Sequence, residues 1–332
     1  MKMQKISLLL AWMLVLALLT SCEQPTNNAG TSFEATLIPN LTHASDTKTP
    51  VPTLTLTPNS TNTLVAVPTL SMEDAHTRLL ELLANNGDCR LPCLWGISPG
   101  KSNYQEGRVI LLPLSSVAET VFFDSPYPGN AISLLYIEGD SRFNTSVSYL
   151  YGNEGIVSRI AFRALEEKVA TDSNGIWLGT TPIYGLPSFI KRVEYYSLAH
   201  LLSEQGLPAA VMVTSAAPSA NRRGSIVTEI AVLYPNQGIS AQYTTLVNED
   251  EVGSSIKSCP INAHIEMDLY PAGNSDSFYT LLDETDWGIT KDSYKPIEEA
   301  TSMSVEQFYE TFRQPTDKCI ETPTKLWPTP ER

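Results

Sequence analysis

Cys89-Arg-Leu-Pro-Cys93-Leu-Trp95-Gly96-Ile97-Ser98-Pro99-Gly100-Lys101-Ser102 divides this 332-residue chain. Two cysteines, two prolines and two glycines within fourteen positions rule out both helix interior and central strand. Before this stretch the residues read as export signal, tether and one lead-in helix. After it they read as folded protein. The expected fold class is α+β: two helix-plus-antiparallel-meander units following a disordered tether.

Working back from the cysteines, Ser71-Met-Glu-Asp74 opens a helix that runs to about Ala84. Leu79, Leu80, Leu82 and Leu83 form its apolar side, and Asn85-Asn86-Gly87 ends it. Residues 22–70 are rich in Thr, Pro, Asn and Ser, with prolines too frequent for helix or central strand. That composition predicts an extended tether. Residues 1–21 have the layout of a secretory signal: Lys2 and Lys5, then an apolar run from Ile6 to Leu19 that is short for a spanning helix. Leu19-Thr20-Ser21-Cys22 follows and resembles the bacterial lipobox, in which the cysteine is acylated and becomes the first residue of the mature protein. The expectation is therefore a protein held at the outer face of a bacterial membrane through lipidated Cys22.

Working forward, Ser102-x-x-Gln105 reads as a capping box opening a short helix that Pro113 stops. Residues 131–138 read as a strand. Ser146–Tyr151 and Ile156–Ala164 alternate in polarity around the turn Gly152-Asn153-Glu154-Gly155. Val147, Tyr149 and Tyr151 mark one face, Ile160 and Phe162 another. Residues 165–190 suggest only a strand and a connector. A helix is expected over 197–205, closed by Gly206. Strands should follow at 210–215, 225–234, 239–245 and 264–270, then a final helix over 304–313 with Phe308 and Phe312 one turn apart. Helix before meander occurs twice, so residues 71–170 are assigned to a first unit and 171–332 to a second. Trp287-Gly288-Ile289-Thr290 echoes Trp95-Gly96-Ile97-Ser98 and supports an internal similarity.

Once Cys22 is set aside, Cys89, Cys93, Cys259 and Cys319 remain. An even number in an exported chain predicts two disulfides, with three possible connectivities. Cys89–Cys93 and Cys259–Cys319 are preferred because each lies within one proposed unit. The chain has 22 basic against 36 acidic residues, and loss of Lys2 and Lys5 with the signal leaves 20 basic. Such a balance argues against nucleic acid as a partner and otherwise serves solubility.

The cysteine stretch resembles a Cys-x-x-Pro-Cys-x-Trp-Gly-Ile-x-Pro-Gly-x-Ser/Thr signature found in a family of uncharacterised bacterial lipoproteins with Thr/Pro-rich tethers. Glu204-Gln205-Gly206-Leu207-Pro208, Leu233-Tyr234-Pro235-Asn236-Gln237-Gly238-Ile239, Ser258-Cys259-Pro260 and Cys319-Ile320-Glu321-Thr322-Pro323 with Trp327 are similar to further parts of it. More distantly, Ile97-Ser98-Pro99-Gly100-Lys101-Ser102 resembles the helix start of β-lactamase-inhibitor proteins and small outer-membrane-assembly lipoproteins. That resemblance implies a fold used for binding.

Catalytic readings of the same residues are weak. Gly96-x-Ser98-x-Gly100 matches a nucleophile elbow in letters, but Pro99 has no N–H to give an oxyanion hole. Gly100-Lys101-Ser102 lacks a phosphate-loop glycine at the required position, which Trp95 occupies. Cys89-x-x-x-Cys93 is one residue longer than a redox Cys-x-x-Cys and does not open a helix. His43, His76, His200 and His264 are isolated, so no metal or other cofactor is expected. Glu166-Glu167, Glu249-Asp250-Glu251 and Glu298-Glu299 read as solvated loops or helix starts. Trp95, Trp177, Trp287 and Trp327 are as consistent with a core as with an interface. The expected function is binding of a protein or envelope component, with a surface that includes the Cys93–Ser102 loop (Trp95, Ile97 and Lys101) and one sheet face. An envelope hydrolase acting on glycan or peptide is the competing reading, and a thiol–disulfide protein a third.

Overall fold

A computed structural model describes residues 68–122, 129–138, 141–152, 154–171, 177–183, 187–216, 225–248, 253–273 and 293–327. All of them belong to the unit Thr63–Arg332. Residues 1–67, where the signal, the lipobox-like cysteine and most of the tether are expected, and Trp287-Gly288-Ile289-Thr290 lie outside the described residues.

Helix α1 spans Met72–Asn85, and its N-cap Ser71 accepts the Asp74 N–H. Ala75, Leu79, Leu82 and Leu83 bury one stripe, and Asn86 ends the helix in the left-handed region at φ 57°. Helix α2 spans Tyr104–Leu111, one residue later than the Ser102 capping box predicts. Its cap is Asn103, whose side chain accepts from Gln105 and Glu106 while Glu106 accepts from the Asn103 N–H. Ser102 is unavailable because its hydroxyl accepts the Ser98 N–H at 3.1 Å and its carbonyl accepts from Val157. Pro113 falls in the 3₁₀ turn Leu112–Val117 that follows the helix.

Gly107 lets α2 lie directly on the sheet. A Cβ there would sit 2.6 Å from the Tyr151 hydroxyl and 2.8 Å from Tyr149 Cδ2. Alanine improves helix propensity by up to about 1 kcal/mol, but overpacking costs roughly 1–3 kcal/mol. Gly107→Ala is thus expected to destabilise the fold by about 1–2 kcal/mol in urea titration. A stabilised variant would disprove the close approach.

The first meander comprises β1 (Ala118–Phe122), β2 (Gly129–Glu138), β3 (Ser141–Tyr151), β4 (Val157–Thr171) and β5 (Trp177–Ile183). Then come α3 (Pro187–Arg192), a 3₁₀ turn over Glu194–Tyr196 and α4 (Leu198–Gln205), capped by Ser197. The second meander has β6 (Ala210–Ala216), β7 (Ser225–Tyr234), β8 (Ile239–Asn248), β9 (Ser255–Ser258) and β10 (His264–Leu269). The last elements are β11 (Lys295–Pro296), α5 (Ile297–Ala300), α6 (Val305–Phe312) and β12 (Ile320–Pro323). The architecture is α+β.

The two meanders form one antiparallel sheet in the order β1-β2-β3-β4-β10-β8-β7-β6-β11. The joint is β4, fifteen residues long, whose single edge serves two strands. Ile160–Ala164 pair with β10, and Glu166–Thr171 pair with β5. β5, assigned from the sequence to the second unit, therefore pairs with the first. Val147 lies opposite Phe162 and Tyr149 opposite Ile160, so the two apolar sets of this hairpin share one face. α1, α2 and α4 contribute to the same core as that face, with Leu79, Leu111, Phe162, Leu201, Val232 and Phe308 all nearly inaccessible. β9 and β12 make a separate two-stranded ladder in which Ser258 faces Ile320.

Candidate functional site

The cysteine loop is a structural hub. Disulfides join Cys89 to Cys93 and Cys259 to Cys319. Leu94 and Ile97 exchange backbone hydrogen bonds across Trp95-Gly96, and both turn residues have positive φ (55° and 89°). Such a turn suits glycine and is costly for tryptophan. Buried partners hold Trp95 there. Its N–H reaches Asn86 Oδ1 at 3.2 Å and its indole N–H reaches the Tyr196 hydroxyl at 2.9 Å. Phe162 meets the indole edge-on and stacks on Tyr196 with ring centroids 4.3 Å apart.

Asn86, fully buried, completes the hub by donating to the carbonyls of Cys89 (2.7 Å) and Cys93 (2.8 Å). The Tyr196 hydroxyl lies 3.1 Å from both Leu82 O and Asn86 Oδ1, and Tyr195 donates to Cys89 O. Arg90 reaches both the carboxylate and the carbonyl of Glu204. The hub thus fastens α1 to the segment opening the second meander. It also brings the Cys89–Ser102 stretch against Glu204.

This geometry corrects the expected binding surface. Trp95 and Ile97 are 1% and 2% exposed and belong to the core. Only Lys101 of the three remains at the surface. Tryptophan in the left-handed region is tolerated because a ring, an indole N–H and a backbone N–H are all satisfied inside. Trp327 is also buried, donating to Thr322 Oγ1. Glu166, expected in a loop, is buried on β4, and Glu167 beside it pairs with Arg142. Glu298 and Glu299 lie in the first turn of α5, as read, and 249–251 fall outside the described residues. Among the described residues, no three His, Cys, Asp or Glu side chains are grouped to hold a metal.

A concavity of ligand size lies between α3–α4 and the end of α6, and a shallower one of about 380 Å³ borders the cysteine loop at Gly96 and Ile97. The first encloses about 830 Å³. Tyr243 and Ile265 from the sheet, Phe189 and Val193 from the α3 segment, Leu198 from α4 and Phe312 from α6 supply apolar lining. Lys191, Glu194, Arg313 and Asp317 supply ionisable groups, and Cys259 and Pro260 line it from the second disulfide. His200 also borders it, tilted over Tyr195 with centroids 4.4 Å apart. Its Nε2 is buried without a hydrogen-bond partner among the described residues. These groups span positions 189–317, so no linear motif announces them. Phe308 and Phe312 one turn apart were the only signal, and they read simply as a core stripe.

The joint between the meanders is charged. Arg159 pairs with Asp268 at 2.8 Å and Arg163 with Glu266 at 2.9 Å, each from β4 to β10. These carboxylates already have cationic partners. Ser98, the nucleophile of the letter-matched elbow, has its N–H committed to Ser102 and no strand leading into it.

No family model and no curated protein matches the chain. Among solved structures it is similar to a DUF4309 family protein (YjgB) from Bacillus subtilis subsp. subtilis str. 168. Identity is 12%, over 60% of this chain and 97% of that one, with a TM-score of 0.23. A likeness this loose assigns neither fold nor function.

Proposed function

We propose that this chain is a binding module displayed on the outer face of a bacterial membrane, tethered through acyl chains on Cys22. Its ligand site is the groove between α3–α4 and α6. The groove itself carries this reading. At about 830 Å³ it falls within the roughly 300–1,000 Å³ of ligand sites, and it has the usual apolar lining with a few polar groups. The partner is a protein or envelope component that presents an apolar group to Phe189, Leu198 and Phe312. Tethered display suits such a role, because a long Thr/Pro-rich segment gives reach without fixing orientation.

Ala199, half-buried on the groove wall, is the place to test it. Immobilised wild-type protein and Ala199→Trp are exposed to envelope extract, with thermal unfolding as the folding control. The bulky indole is expected to reduce specific capture at least tenfold with little change in melting temperature. Equal capture would remove the ligand from this groove. Cleaved glycan or peptide accumulating in the extract would favour the hydrolase instead.

A further inference from the structure

The sheet face opposite the main core carries a second, smaller apolar cluster: Val227, Ala231, Leu233, Tyr270 and Tyr294. In its midst sits an acid. Glu229 on β7 is 1% exposed, and strand register places Thr214 of β6 and Thr244 of β8 on either side of it. The Tyr294 hydroxyl donates to Glu229 Oε1, and Thr244 Oγ1 lies 3.5 Å from Oε2. Thr214 Oγ1 is buried with no hydrogen-bond partner among the described residues. Tyr294 immediately precedes β11, which is only two residues long and pairs solely with Met212 and Val213 of β6. Beyond β11, Ile297 and Ala300 are anchored in the main core. The strap is therefore fixed at one end by Ile297 and Ala300 in the main core and at the other by Tyr294, whose ring packs in the small cluster and whose phenol holds one carboxyl.

We propose that β11 is a proton-sensitive latch on the β6 edge of the sheet, fastened by Tyr294 on Glu229 and loosened when Glu229 ionises. Burial pushes the Glu229 carboxyl up to about 7. The Tyr294 hydrogen bond opposes that rise, the Glu266 charge adds to it, and Thr244 and Arg163 pull it back. The charged and titratable groups around it are Glu266 and, opposite Thr244, His264 on β10; Arg163 on β4, paired with Glu266; and Tyr294 and Lys295 on the strap. β6 and β8 face it with threonines alone.

When the strap lifts, Glu229 meets water and its acidity returns towards that of an ordinary carboxyl. The closed form binds the proton more tightly than the open form, so raising the pH favours opening even though the phenol prefers a charged acceptor. Acid below the ordinary carboxylate range leaves the latch fully fastened. The loosening sets in above that range and is complete once pH passes 7. Opening bares the backbone of Met212 and Val213, a free edge able to accept another strand.

Hydrogen–deuterium exchange on the full chain at pH 6 and pH 8, with times scaled for intrinsic exchange, tests this. Between the two, peptides over 210–216 and 293–297 are expected to lose protection about tenfold, while β8 and β10 keep theirs. Glu229→Gln is expected to abolish the pH effect. Should that variant not fold, Tyr294→Phe serves: it removes the fastener, and exchange over 210–216 should rise at both pH values. Unchanged wild-type protection would overturn the latch. So would a loss shared by β8 and β10, a pH effect persisting in Glu229→Gln, or wild-type exchange in Tyr294→Phe.

Discussion

Asn86→Ala is expected to cost about 3–5 kcal/mol, a large share of the roughly 5–15 kcal/mol that usually holds a folded domain together. The substitution strips a donor from the half-buried Cys93 carbonyl and the acceptor from the buried Trp95 N–H, while the Cys89 carbonyl loses one donor and keeps Tyr195. Each buried group left unpaired costs roughly 1–3 kcal/mol. Tyr196 suffers less, since its hydroxyl can turn fully to Leu82 O. Alanine must also hold φ 57° without the local side-chain hydrogen bonding that lets asparagine sit there. Asn86→Gly separates the contributions, because it frees the backbone but still removes the side chain. It should fall about 1 kcal/mol short of the alanine loss. Urea unfolding decides the matter, and an alanine variant within 1 kcal/mol of wild type would deny the hub its role.

Replacing Cys259 and Cys319 together by serine should remove about 4 kcal/mol, whereas the same change at Cys89 and Cys93 should remove about 2 kcal/mol through chain entropy. The difference follows from loop length, with sequence separations of 60 and 4. The long link also closes the β9–β12 ladder, four residues a side, and holds Cys259 and Pro260 against the groove. Its removal is therefore expected to weaken ligand capture as well as stability, a pairing the short link should not show. Equal stability losses for the two pairs would refute this account.

Much of the fold is legible in the sequence, and what is not has physical causes. α1, α4 and α6 show a 3.6 period with caps at Ser71, Ser197 and Ser304, and the β3–β4 hairpin alternates cleanly. β9 and β12 are too short for a period of two to declare itself. Ser102 and Asn103 offer equally good cap signatures, and only a tertiary contact to Ser98 decides between them. The burial of Trp95 depends on Tyr196, 101 positions away, so a tryptophan in a cysteine turn reads as readily for a surface. Glu229 is not legible as a buried acid, because a lone carboxyl among Val227, Thr228 and Ile230 gives no hint of the tyrosine that covers it.

The shared edge of β4 bears on how the molecule comes into being. A growing chain that has reached Thr171 holds every strand of β1–β4, and β5 can then occupy only the far portion of the β4 edge. The partner of Ile160–Ala164 does not exist until residue 265, about a hundred positions later. Throughout that interval a nascent protein offers unpaired backbone on a finished meander, the condition under which strands of neighbouring chains join wrongly. Closing that gap requires a contact of long sequence separation, which makes it a slow step. Agents that bind open strand edges should therefore engage this polypeptide most strongly between the synthesis of its first and second halves.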